Sequence, residues 1–215
     1  MLVGILHQIV ALVKSFSKTD EEFFLTFTES CGILLKKACG GMTMDHMKNP
    51  ALQLSLPAYS EIPDVGLFLD QVCRYINEFL EPLPGFGLTN SMISNYVKKG
   101  LIANPVKKQY GRDQIAYLFF IAVAKSVLSM EDLQVLIRLQ QLTYPLKKSY
   151  DYFRLELQNV LEFVFEQKEE MDLVGVETSR EKAILRNAII AVAHKVYLNQ
   201  MLASAADKIS DIQTK

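Results

Sequence analysis

Apolar residues recur at intervals of three and four along most of the 215-residue chain, a spacing that predicts amphipathic helices. Two such stripes occupy the first 41 residues, and Thr19 with Glu22 forms a capping box that opens the second one. Three prolines then interrupt the period between residues 42 and 63, which indicates a linker or an irregular surface strap. The pattern therefore predicts an N-terminal helical pair and linker over residues 1–50.

Two further helices are expected in the middle of the chain. Asp64 can cap a helix that runs to about Leu80. Thr89 can cap a shorter helix through Lys99, and Gly100 is placed to end it.

A two-stranded wing is expected after the short helix. Leu101 and Ile102 provide one apolar strand, and residues 106–110 provide the returning strand. Asn104 and Pro105 between them favour a turn.

The remaining pattern is helical and completes an all-α fold. One helix begins near Gly111, and Ser129 opens another with a capping box. Beyond Pro145, two long helices with broad apolar faces are expected, the second opened by a capping box at Thr178. We therefore expect a head at residues 51–145 and a C-terminal dimerisation or effector region at residues 146–215.

Positive charge is concentrated in the predicted head. The formal net charge is −1, yet residues 88–148 carry nine lysines and arginines against three acids, a balance of +6 that leaves −7 for the rest. Residues 98–112 contain no acid at all. A basic surface on an acidic body is typical of a protein that contacts a polyanion through one face. The basic residues of this run are Lys98, Lys99, Lys107, Lys108 and Arg112.

Few residues suggest other chemistry. Cys31, Cys39 and Cys73 are widely spaced and lack a metal-binding pattern, so we expect reduced thiols in a cytoplasmic protein and no metal. The apolar N-terminal run has no cationic start and is shorter than the roughly 20 residues of a membrane span, so no membrane association is expected. The sequence lacks zinc-protease, nucleophile-elbow and phosphate-loop motifs, which argues against an enzyme and against a cofactor.

Several short motifs resemble known DNA-binding heads. The segments YVKKGLI at residues 96–102, KQY at 108–110 and SMEDL at 129–133 resemble the winged head of MerR-type regulators. The segments PDVGLFLDQV at 63–72 and LTNSMISNY at 88–96 resemble a bacterial family catalogued as domain of unknown function 1836. The resemblance covers roughly residues 55–140.

The resemblance implies a MerR-like winged helix-turn-helix head in a sequence-specific transcriptional regulator. In MerR-type heads the second helix enters the major groove and the wing straddles the phosphate backbone, so the implied partner is double-stranded DNA. A homodimer is expected, because a single head makes few contacts and two heads can read two half-sites. The implied DNA-binding residues are Asn90, Ser91, Ser94, Asn95, Tyr96, Lys98, Lys99, Lys107, Lys108, Tyr110 and Arg112.

Two positions depart from the MerR-type pattern and keep alternatives open. Ser94 and Lys108 stand where the family usually has arginines, so bidentate phosphate contacts are replaced by weaker ones. One alternative is a protein-interaction module that places the same basic head on an acidic partner. Another is a small-molecule sensor with a pocket between the C-terminal helices, and a third reading treats the basic run as solvated surface.

Overall fold

The computed structural model describes residues 49–213, apart from residues 166, 169, 173 and 175–178. The chain divides into two compact units, Met1–Met44 and Asp45–Lys215, and the described residues all lie in the second unit. The helical pair expected over residues 1–41, with its capping box, lies outside the described residues, and so does Thr178 of the capping box expected before the last helix.

Helices dominate the described part of the chain, as the periodicity predicts, and a two-stranded antiparallel sheet accompanies them. They are α1 (Leu69–Leu80), α2 (Asn90–Lys98), α3 (Arg112–Ala124), α4 (Met130–Thr143), α5 (Leu146–Val164) and α6 (Arg180–Gln213).

The predicted helix ends at the head are confirmed where a local capping signal exists. The Thr89 hydroxyl accepts a hydrogen bond from the Met92 amide at 3.2 Å, which starts α2. Gly100 ends α2 in a left-handed conformation with φ +72°. Ser129 accepts from the Asp132 amide at 3.1 Å and opens α4.

The expected start of α1 is wrong by four residues. Phe68, rather than Asp64, is the N-cap residue, and the Gln71 side chain accepts a hydrogen bond from its amide at 2.9 Å. The reason is strand pairing: Leu67–Phe68 forms β1, which keeps the backbone extended up to the helix.

The expected pairing of the wing is also wrong. Residues 101–102 form a bend and do not pair as a strand. Their apolar side chains are buried in the hydrophobic core. The strand β2 (Gln109–Tyr110) pairs with β1, with Leu67 opposite Tyr110. Val106 forms a single bridge to Gln109, which places the turn at residues 107–108 and not at Asn104 and Pro105.

An irregular strap precedes β1. It contains two short 3₁₀ turns, Pro50–Gln53 and Tyr59–Glu61. Its apolar side chains are buried in the same core as the helices. The prolines prevent a regular helix here, while the apolar positions between them fasten the strap to the body. The buried strap residues include Ala51, Leu54, Leu56 and Ile62.

One aromatic cluster joins helices from both sides of residue 145. Phe119 of α3 is fully buried, and its ring centroid lies 5.9 Å from that of Tyr75 and 5.7 Å from that of Phe79, both on α1. On its other side Tyr150 of α5 lies at 6.3 Å and itself contacts Phe153. The head and the C-terminal helices therefore share a core.

A buried ion pair connects α5 to α6. The Nε atom of Arg186 lies 2.7 Å from Oε1 of Glu156, whose side chain is 1% exposed. The two groups are close but not aligned as a hydrogen bond. Burial raises the pKa of Glu156, and Arg186 partly opposes this shift.

Removal of the arginine alone should destabilise the protein strongly. In Arg186→Met a buried carboxylate loses its counter-charge, so we expect the free energy of unfolding at pH 7 to fall by about 3–5 kcal/mol. The double variant Glu156→Leu, Arg186→Met removes both charges and should lose much less, because replacement of a buried ion pair by apolar residues of similar volume is often close to neutral. Urea titration measures both values, and equal losses would contradict the assignment.

The pH dependence of Arg186→Met provides a second check. Arg186 lowers the pKa of Glu156 against the effect of burial, so its removal raises that pKa further and the folded variant binds a proton more readily than the folded wild type does. The stability deficit of the variant should therefore shrink as the pH falls through the raised pKa towards the ordinary glutamate value. The double variant lacks this carboxyl and should not show the trend.

Candidate nucleic-acid interface

The start of α2 is fixed by a side chain of α1. The amide of Asn77 donates to the Leu88 carbonyl at 2.9 Å and accepts from the Leu88 amide at 2.8 Å. The half-buried thiol of Cys73 donates to the same carbonyl at 3.0 Å, and burial raises its pKa. These bonds hold α2 at a defined angle to α1. Sequence reasoning missed Asn77, because nothing in its spacing separates it from a solvent-facing amide.

The polar residues of α2 differ in how they are engaged. The Asn90 side chain donates to the Asp70 carboxylate of α1. The Ser91 hydroxyl lies 2.9 Å from that of the capping threonine, and the Ser94 hydroxyl donates to the Asn90 carbonyl at 2.9 Å. Asn95 is exposed. Among these predicted contacts, Asn95 presents its amide to solvent most directly.

The two predicted tyrosines lie in the core. Tyr96 and Tyr110 are each 4% exposed, and burial raises the pKa of both hydroxyls. Tyr96 anchors α2, and Tyr110 anchors β2 opposite Leu67. Both tyrosines thereby anchor the backbone next to the exposed lysines.

The C-terminal end of α2 presents two lysines. Lys98 and Lys99 are exposed, and the amide of Gly100 donates to Val97 at 2.9 Å to close the last turn. Positive charge is favoured at this end of a helix by the helix dipole. The side chain of Gln134 from α4 donates to the Lys99 carbonyl at 2.8 Å. This bond links the lysine-bearing end of α2 to α4.

A second lysine pair occupies a strained two-residue turn. The Val106 and Gln109 backbones bond to each other in both directions, at 3.0 and 2.9 Å. Between them Lys107 and Lys108 have φ values of 51° and 64° and are exposed. Such turns require positive φ at both central residues and normally contain asparagine or glycine. Two lysines are held here against their backbone preference.

Arg112 serves the fold rather than the open surface. Its Nε donates to the Ile62 carbonyl at 2.8 Å, and its guanidinium lies 5.7 Å from the centre of the Tyr59 ring. Asp64 adds a distant ion pair at 3.9 Å. The Tyr59 hydroxyl donates to Asp113, and burial together with this carboxylate raises the pKa of Tyr59 to about 12. Arg112 therefore fastens the strap to the start of α3.

The two lysine pairs lie close enough to act on one ligand. Lys107 lies eight positions after Lys99, and an extended chain of eight residue steps spans at most roughly 28 Å. This limit is shorter than one turn of double-stranded DNA, roughly 34 Å. Phosphates within a single turn can therefore meet both pairs.

Two other kinds of feature, a metal site and a membrane-spanning helix, are not found among the described residues. Within the described part of the chain, no three histidine, cysteine or acidic side chains come together as metal ligands would. None of the helices described there combines the length and apolarity that a membrane crossing needs.

Part of the chain matches the model of a protein family. No curated protein and no solved structure matches the chain. A family model matches residues 57–153, which hold the end of the strap, α1 to α4 and the start of α5. The predicted resemblance to that family is thus confirmed over these residues. Residues 57–153 of this chain match the family described as Domain of unknown function (DUF1836).

Proposed function

We propose that the protein is a sequence-specific DNA-binding transcriptional regulator with a MerR-like winged helix-turn-helix head. In this proposal α2 enters the major groove, and the turn at residues 107–108 is the wing tip on the phosphate backbone. The exposed lysine pairs at the end of α2 and in the turn support it, because phosphate contacts supply most non-specific affinity for DNA.

The observation that carries the proposal is the left-handed backbone of Lys107 and Lys108. Strained backbone positions concentrate at functional sites, where the side chain matters more than the local stability. Asparagine and glycine would fit this turn better, yet the chain presents two ammonium groups. Positive charge at the tip is the property that these residues add.

The proposed contacts divide into two kinds. Lys98, Lys99, Lys107 and Lys108 meet phosphates and position the head, and Asn95 reads a base edge. Arg112 is left out of the phosphate set because its guanidinium is engaged by the strap. Four contacts limit the slope of log K against log salt to about −3.6 per subunit.

A homodimer is part of the proposal. The C-terminal half of α6 carries four exposed apolar residues, and a helix with such a stripe is stabilised by a second helix. The spacings between these residues, four, seven and three, keep them on one face of the helix, and the proposed partner is the same face of a second copy. The exposed fractions of these residues are 48% for Leu198, 59% for Leu202, 57% for Ile209 and 75% for Ile212.

Replacement of Lys107 and Lys108 should raise the stability of the fold and at the same time weaken DNA binding. Lys107→Asn, Lys108→Gly relieves the backbone strain, so we expect the free energy of unfolding to rise by about 1 kcal/mol. Loss of two phosphate contacts should weaken DNA binding by about 30-fold at 0.15 M salt and reduce the salt slope to about −1.8. Urea unfolding and fluorescence anisotropy with a genomic duplex measure the two effects.

The matched control for the tip is Lys147→Asn, Lys195→Gln. It removes one exposed lysine from α5 and one from α6, both outside the proposed interface, and should leave DNA affinity unchanged. If the tip variant gains stability but keeps full affinity and salt slope, the proposed wing is wrong. If the wild type binds no duplex but binds an acidic protein, the interaction-module alternative replaces this proposal.

Asn95 should affect specificity more than affinity. A lost base-edge contact costs about 1–3 kcal/mol of discrimination, so Asn95→Ala should bind its selected sequence and random DNA with more similar constants. The salt slope should not change, because no charge is removed. Selection from a random duplex pool, followed by anisotropy, supplies both values, and undiminished discrimination would exclude Asn95 as a reader.

Charges in the stripe of α6 should prevent dimerisation. In Leu202→Asp, Ile209→Asp, carboxylates replace the proposed contact, so sedimentation should report a monomer. Leu142→Asp changes an exposed leucine on α4 instead and serves as the control. A dimer in the α6 variant, or a monomer in the wild type, would contradict the proposed interface.

A further inference from the structure

An apolar cavity of about 490 Å³ lies between the helices α3, α4, α5 and α6. Its wall combines Tyr117 and Phe120 of α3, Leu139 of α4, Phe153 of α5 and Leu185 of α6 with further residues of the same helices. Small-molecule sites typically measure about 300–1,000 Å³ and have mostly apolar and aromatic walls. Both the size and the lining of this cavity therefore fit a small ligand.

The polar groups of the wall are largely paired with each other. The Tyr117 hydroxyl donates to the Gln140 carbonyl oxygen at 2.8 Å, and the Gln140 amide donates to the Tyr144 backbone at 2.7 Å. The Thr143 hydroxyl donates to the Leu139 carbonyl at 2.9 Å. Such a wall offers little to a ligand that needs many hydrogen bonds.

The charges of the wall balance. Lys148 and Lys182 line it together with Asp151 and Glu181. Each ammonium lies near a tyrosine ring of the wall, at 5.2 Å for Lys148 and 4.9 Å for Lys182. Because cations and anions are equal in number, the wall favours neither an anionic nor a cationic ligand.

Two tyrosines of the wall contribute their rings and not their hydroxyls. Tyr150 and Tyr152 line the cavity, while both hydroxyl oxygens are buried from solvent and lack a hydrogen-bond partner in the described part of the chain. An oxygen that solvent cannot reach is equally closed to a ligand in this cavity. The two rings therefore add apolar surface to the wall.

We propose that this cavity binds an uncharged, largely apolar molecule. Its occupancy acts on the head through α4, a regulation that rests on the proposed DNA-binding function. The C-terminal half of α4 lines the cavity, and its N-terminal half holds the Lys99 carbonyl through Gln134. A ligand that orders α4 thereby orders the lysine-bearing end of α2.

The ligand site is tested on the full chain with N-phenyl-1-naphthylamine, an uncharged apolar dye that fluoresces in apolar surroundings. We expect saturable binding of one dye per chain. Thr143→Trp places a large side chain on the wall and should weaken dye binding by at least about tenfold. Leu142→Trp adds the same group at the neighbouring exposed position of α4, which is not in the wall, and should bind the dye as the wild type does.

Competition identifies the ligand class. Nonan-2-one and nonanoate have chains of equal length, and the neutral ketone should displace the dye at a concentration at least about tenfold lower. Stronger displacement by nonanoate overturns the uncharged class. If the dye does not bind, or binds Thr143→Trp and the wild type equally, the cavity is not a ligand site. Ser149→Trp, from α5, repeats the test if Thr143→Trp does not fold.

Hydrogen exchange tests the regulation without DNA. Nonan-2-one should slow amide exchange at residues 97–101 in the wild type by at least about threefold, and Gln134→Ala should abolish this effect while dye binding persists. Unchanged exchange in the wild type overturns the link through α4. Failure of the wild type to bind DNA would overturn the proposed function, while dye binding would still establish the ligand site.

Discussion

The burial of Phe119 is the constraint on which the rest of the fold depends. Its ring contacts aromatic side chains of α1 and α5 at once, so α3 is fixed to both of these helices. Asn77 of α1 in turn orients α2. Phe119 therefore helps to set which face of α2 is exposed, although it lies more than 20 positions further along the chain. Each buried side chain of this size contributes several kcal/mol to the free energy of folding. Because a close-packed interior deforms little, a shift of one helix is also passed on to the helices packed against it.

Local signals explain why much of the helical fold could be predicted from the sequence. Thr89, Gly100 and Ser129 each act on backbone groups within five residues, so their effect can be inferred without tertiary contacts. The pairing of Phe68 with Gln109 joins positions 41 residues apart and depends on how the helices pack. Leu101 and Ile102 have the composition of a strand, yet burial in the core decides their conformation.

The candidate interface was partly predictable for a similar reason. Charge counting finds Lys98, Lys99, Lys107 and Lys108, because a run without acids is visible in the sequence. It also includes Arg112, and only the structure reveals that Ile62 and Tyr59 engage that side chain. The strained turn had no sequence signal, since two lysines are not residues that turn preferences favour. The cavity wall comes from four helices, so no single segment contains its pattern.

The ion pair between Glu156 and Arg186 restricts how α5 and α6 can move. A slide of α6 by one helical turn, about 5.4 Å, would leave two charges buried apart, whereas a small rocking motion would keep them together. The ion pair therefore fixes the register between α5 and α6 close to the start of α6. Because α6 is one continuous helix from residue 180 to residue 213, the register set at Arg186 also decides where its apolar C-terminal half, the proposed site of a second copy, is presented.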